Sequence, residues 1–203
     1  MSAGASRPRD PWYVDDRTLR EVVTDEAEVE RRLAALPEEP SRTGERVGLL
    51  RILGRLDEAL ELAAADHERL VEGGQSRTST AAVMRLAQVK HWRGELPGAE
   101  ALLTSALSHA GAEHDPLLVG SALQLRAACR YDAGDVDGAL ADATAALKHR
   151  RQVGAPQDQV EASERAWSTI SAAAIAAAPY GVVPPGSDEQ DTHPVSQAGP
   201  RPS

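Results

Sequence analysis

Three groups of residues in this chain have types suited to chemistry. The first is the segment HAGAEHD, where His109, Glu113, His114 and Asp115 are all potential ligands of a divalent cation. Zinc sites use such groups at tighter spacings, and a cysteine or a distant histidine completes the set. The segment reads as a polar loop in which Asp115 caps a helix that starts at Pro116. The second is Cys129, the one cysteine of the chain, which rules out an internal disulfide. A nucleophilic cysteine needs an electropositive, partly exposed setting. Cys129 instead shares a periodic position with Leu49 and Val89, so a buried apolar role is expected. The third is the stretch AGDVDGALADATAAL, from Ala133 to Leu147, with its aspartates. No GxSxG, Walker, GxGxxG or HExxH pattern is present. No acid–base constellation converges, so the expectation is a non-enzyme without metal or cofactor.

The elements that would position these residues explain the third group. Two upstream stretches resemble it, LGRLDEALELAAADH from Leu53 and RGELPGAEALLTSAL from Arg93. Their glycines, Gly54, Gly94 and Gly134, are 40 residues apart. The same step aligns Ala59, Ala99 and Ala139, then Ala63, Leu103 and Ala143. Within one copy these positions fall on a single helix face. Glycine accepts the left-handed conformation that ends a helix. Asp57, Pro97 and Asp137 follow three residues later, where an acid or proline suits a new helix. The stretch is therefore architecture: helix, glycine turn, helix.

The chain has 203 residues, 41% hydrophobic but only 3% aromatic, with no Phe. Alanine and leucine must build the core, which suits closely packed helices better than a sheet. The net charge of −9 excludes a nucleic-acid partner, which would require clustered Lys and Arg. No apolar run is long enough for a membrane span, and the N-terminus lacks the apolar region of a signal peptide. With the lone cysteine, this points to the cytoplasm.

The reading along the chain is all-α. Residues 1–14 are expected to be a disordered tail and residues 15–178 a helical repeat domain. Residues 179–203, rich in Pro, Gly and Ser, are expected to form a second disordered tail. Asp15 to Leu36 has helical character, with Thr24 or Asp25 as cap. Three helix-turn-helix units follow, at about 41–73, 77–112 and 116–152, with Ser79 or Thr80 as the cap entering the second. A closing helix spans about 157–178 and carries Trp167, Ile170 and Ile175, either to cap the array or as a homo-oligomer surface.

On these residues the chain resembles the tetratricopeptide repeat family. The pairs Gly54/Ala59, Gly94/Ala99 and Gly134/Ala139 match that family's turn, and Val47, Ala87 and Ala127 match the small residue of its first helix. Three features depart from it. The unit is 40 residues where about 34 is usual. The large aromatic of the second helix is replaced by Ala63, Leu103 and Ala143, and the closing proline is absent. Asp66 stands where the later units have Ala106 and Ala146.

The resemblance implies an α-α superhelix whose first helices line a concave groove for a protein or peptide partner. Carried over position by position, the groove residues are Arg51, Met84, Gln88, His91, Trp92, Gln124 and Tyr131. Trp, Tyr and Arg dominate interface energetics, which favours binding. The competing reading is that Trp92 and Tyr131 pack between helices. The lysine–asparagine clamp with which some members grip peptide carboxylates is missing. Arg85 and Arg126 are expected to be solvated or paired within the array. The expected function is a non-catalytic adaptor. The alternative is a sensor of a small molecule or peptide that acts through another protein.

Overall fold

From Gly94 onward the backbone enters the left-handed region every twenty residues: Gly94 at φ +80°, His114 at +53°, Gly134 at +81° and Gly154 at +64°. Gly54, at +73°, belongs to the same series. At each of these positions a helix stops. The amide of the next residue donates back five residues, as in Asp135 N to Arg130 O (2.9 Å) and Asp115 N to Ala110 O (3.0 Å). This bond is the mark of the Schellman motif, which satisfies carbonyls that the helix end leaves bare. The loop around His114 is thus a helix terminus, and Asp115 caps the next helix by accepting from Leu117 N and Leu118 N.

The computed structural model describes residues 10–72 and 77–177. It contains two strands, β1 (Trp12–Val14) and β2 (Glu21–Val23), then α1 (Glu26–Ala35) and α2 (Thr43–Ile52). The array continues with α3 (Leu56–Glu72), α4 (Arg77–Trp92), α5 (Leu96–Ala112), α6 (Pro116–Asp132), α7 (Val136–Gln152) and α8 (Gln157–Ala177). The architecture is an all-α array in which each helix from α2 onward packs on the next. In addition α2 meets α4, α4 meets α6, and α6 meets α8, whereas α3, α5 and α7 have no comparable contacts with one another. The four even-numbered helices therefore form a close inner row and the odd-numbered ones an outer row.

Small side chains set this spacing. Ala59, Ala87, Ala99, Ala127 and Ala139 are all fully buried at helix crossings. A larger group at any of them would push two helices apart. Leu103 and Ile170 fill what the alanines leave open. Asp66 departs from the alanine pattern but is satisfied, since its carboxylate accepts from Arg85 (2.7 Å) and Arg69 (2.6 Å).

Three expectations need correction. Asp15 to Leu36 is not continuous helix: β1 and β2 pair antiparallel, with Trp12 opposite Val23 and Val14 opposite Glu21, and α1 starts only at Glu26. The reason is local. Asp15 Oδ1 accepts from Arg17 N, Thr18 N and Thr18 Oγ1, turning the chain before a helix can start. The aromatic and β-branched residues on either side then pair as strands. The tail expected over 1–14 accordingly fails for 10–14, while residues 1–9 and 178–203 lie outside the described residues. Finally, Ser79 and Thr80 do not cap α4. The helix is already under way at Arg77, and both side chains are buried within it.

Gly134 offers a test of the turn. A Cβ built there meets nothing within 4 Å, so Gly134→Ala is strained only through its φ of +81°. The expected loss is about 1–2 kcal/mol. Gly111→Ala, at an exposed site inside α5 that is equally open, should instead gain about 0.5–1 kcal/mol. Urea denaturation midpoints of the two variants check the opposite signs.

Candidate functional site: the inner row and the hairpin across it

The inner row brings the expected groove residues to one face, but it does not leave them empty. The β1–β2 hairpin lies across all four inner helices and makes a polar contact with each. At α2, both guanidinium nitrogens of Arg51 donate to Glu21, at 2.8 and 2.7 Å. At α4, the guanidinium of Arg20 lies 5.5 Å from the centre of the Trp92 ring, and that of Arg51 lies 4.5 Å from it. At α6, Arg20 Nη2 donates to Asp132 Oδ2 at 2.5 Å. At α8, Thr169 Oγ1 donates to the Asp16 carbonyl at 2.7 Å. Leu19, at φ +55°, packs on the cluster formed by Ala127, Ala139, Ala143 and Ile170.

The electrostatics favour the paired state. Burial works against the charge of Glu21, but the hydrogen bonds and charge of Arg51 outweigh it, so the carboxyl lies below its ordinary value. Asp132 behaves alike: burial raises it, and the hydrogen bonds from His91 and Arg20 bring it below the usual aspartate range. His91 Nε2 lies 2.8 Å from Asp132 Oδ2, the same oxygen that accepts from Arg20.

The expected site residues divide into three kinds. Arg51, His91 and Trp92 are held by the hairpin or by Asp132, as above. Gln88 is half-buried and lines a cavity of about 140 Å³ beneath the hairpin, together with Trp92, Leu125, Ala128 and Ala166. Gln124 borders the same cavity, but its carbonyl is engaged by Ser163 Oγ (2.8 Å) and by Arg150. Burial lowers the pKa of Arg150, which finds hydroxyl and carbonyl partners there instead of a carboxylate. Tyr131 is half-buried against the Ile170 cluster and borders a shallow depression with Asp16, Arg165 and Thr169. Met84 contributes no groove surface. It is buried with Val83, Leu103 and Ala122 between α4, α5 and α6.

Other expectations are met directly. Arg85 pairs with Asp66, and Arg126 with Asp142, so both are spent within the array. Cys129 is buried, and burial pushes its thiol up to about 11, so it is neither exposed nor activated. Sequence reading missed Leu19, Arg20 and Glu21 as groove contacts. The signal that could have found them is the pair of short aromatic and β-branched runs, Trp12–Val14 and Glu21–Val23, around the Asp15 turn.

The fold and this face define a helical-hairpin array with an extended segment laid across its inner row. No family model matches the chain, and no curated protein matches it. Among solved structures, the chain is similar to the crystal structure of BtubC (BKLC) from P. vanneervenii. The identity is 17%, the TM-score 0.49, and the match covers 85% of this chain and 78% of that one. Among the described residues no helix is long and apolar enough to cross a membrane.

Proposed function

We propose that the protein is a non-catalytic, tetratricopeptide-like adaptor that binds a protein or peptide partner along its inner row in the cytoplasm. One observation supports this above the others: the inner row already holds a short hairpin of polypeptide by side chains drawn from its four helices, α2, α4, α6 and α8. Rigid helix pairs then act geometrically, each presenting one or two groups along a continuous track. Trp92 and Tyr131 are the large groups of that track, and such residues carry most interface energy.

The second reading, a sensor for a small molecule, rests on the cavity beneath the hairpin. Its volume of about 140 Å³ gives that reading less support than the adaptor has. Ordinary ligand pockets hold roughly 300–1,000 Å³. A peptide that replaces the hairpin meets no such limit.

The test is capture of partners from the native cell, read by mass spectrometry. The same partner should be absent when Trp92→Ala and Tyr131→Ala are combined, with each single change weakening binding about tenfold or more. Capture that survives both changes removes the inner row as the binding face.

A further inference from the structure

The contacts of the hairpin identify what kind of segment this face accepts. Resting on the adaptor reading, we propose that β1–β2 is an intramolecular occupant of the inner row. The partner that displaces it is an extended segment bearing a carboxylate for Arg51 next to a cation for Asp132.

The Arg51 position is a built receptor for a carboxylate. Its side chain is 6% exposed, both terminal nitrogens point at one carboxylate, and the Trp92 ring backs the guanidinium plane. Glu21 is the acid that fills it, and nothing else among the described ion pairs engages Arg51. Next to it, Asp132 Oδ2 contacts both His91, which is buried, and Arg20 of the hairpin. The two receptors have opposite charge and are filled by two consecutive residues, Arg20 and Glu21. That order of charge is a recognition pattern, and an external segment with the same pair can make the same contacts.

The hairpin is suited to leaving. Its strands have three residues each, and an isolated two-stranded hairpin of this size is marginal in water. It is held by a few polar contacts and by Trp12, Leu19 and Val23, which pack against the edge of the array's core without belonging to its helices. Elements of this kind occupy the low-stability end of a fold. While tethered, however, it competes at an effective concentration on the order of millimolar. A partner must match its contacts to take its place.

The probe is a fluorescent peptide of this chain's own residues Asp10–Asp25, added to full-length protein and followed by anisotropy. Native protein, with its own hairpin in place, should bind it at least 100-fold more weakly than Glu21→Arg, in which the like charge at Arg51 expels the hairpin. Glu21→Gln, the milder change, should fall between them and decides the matter if Glu21→Arg does not fold by circular dichroism. A peptide with Gln at its Glu21 position should bind the released protein at least tenfold more weakly than the native peptide. Equal binding to native and released protein, no binding to a folded released variant, or indifference to the Gln change each overturns the proposal. The adaptor reading fails separately, when partner capture ignores Trp92 and Tyr131 while this peptide still binds.

Discussion

Asp142→Ala is expected to cost about 3 kcal/mol of stability, at the lower end of the roughly 3–5 kcal/mol for breaking a buried ion pair. Asp142 lies in α7 with its side chain 7% exposed. It accepts from Arg126 Nε at 2.7 Å and Nη2 at 2.8 Å, a two-pronged pair, and from Arg130 Nη1 at 3.0 Å. Both arginines stand on α6, one turn apart, so a single carboxylate fastens two helices of adjacent rows. Removing it affects them unequally. Arg130 keeps Glu100 on α5 at 2.7 Å, whereas Arg126, 13% exposed, is left with only the hydroxyl of Thr104 at 3.2 Å. The penalty is mainly one uncompensated guanidinium, which places the estimate at the low end. For comparison, the exposed pair Arg31–Glu28 on α1 is screened by solvent and should matter far less.

The control separates charge from packing. Joining Asp142→Leu to Arg126→Met removes both charges together and should recover most of the loss, since apolar replacements of buried pairs are often neutral. Denaturant midpoints with unchanged slopes are the readout. A loss below about 1 kcal/mol for Asp142→Ala would show that water reaches Arg126 freely.

The array was legible because its physical constraints recur. A helix that must stop needs a left-handed residue, and two helices that must approach need alanine. Both demands return every 40 residues at Gly54, Gly94 and Gly134 and at Ala59, Ala99 and Ala139. The intervening turn was less visible, because His114 supplies the left-handed conformation without being a glycine. Within the groove, register alone placed Met84 on the surface, but the nearness of Ala122 on α6 lets the core absorb it. Register cannot report how closely a neighbouring helix packs.

The hairpin was hidden for a different reason. Three residues per strand barely display a period of two, and the strong helical pattern of TDEAEVERRLAAL begins immediately after. Its decisive contacts join residues far apart in the chain: Glu21 with Arg51, and Arg20 with Asp132. Charged residues in a short polar segment look like a solvated surface until the fold shows which face they cover. Arg51 and Trp92, which hold the hairpin on the α2 and α4 side, were both among the expected groove residues. Only their occupant was unforeseen.

Arg51→Ala is the second large effect, and it should part company with the Glu21 variants. Truncating one member of a buried, hydrogen-bonded charge pair costs about 2–5 kcal/mol. Here the group left behind is the Glu21 carboxylate, 21% exposed and already depressed in pKa by its partner. Undocking lets that carboxylate return to water, so the hairpin is expected to release while the array stays folded. Amide exchange should accelerate across Trp12–Val14 and Glu21–Val23 and remain slow in α4 to α7. Yet release through Arg51 destroys the receptor along with the contact. The Arg51→Ala protein should therefore bind the Asp10–Asp25 peptide at least 30-fold more weakly than the Glu21→Arg protein, which corresponds to about 2 kcal/mol. Arg51→Lys keeps the charge but lacks the planar fork, and should fall between them. Equal peptide affinity in the Arg51→Ala and Glu21→Arg proteins would place the carboxylate receptor elsewhere on the inner row. Unequal affinity with the hairpin equally released in both would assign recognition to the guanidinium itself, since opening of the face is then common to both and only the Arg51 side chain differs.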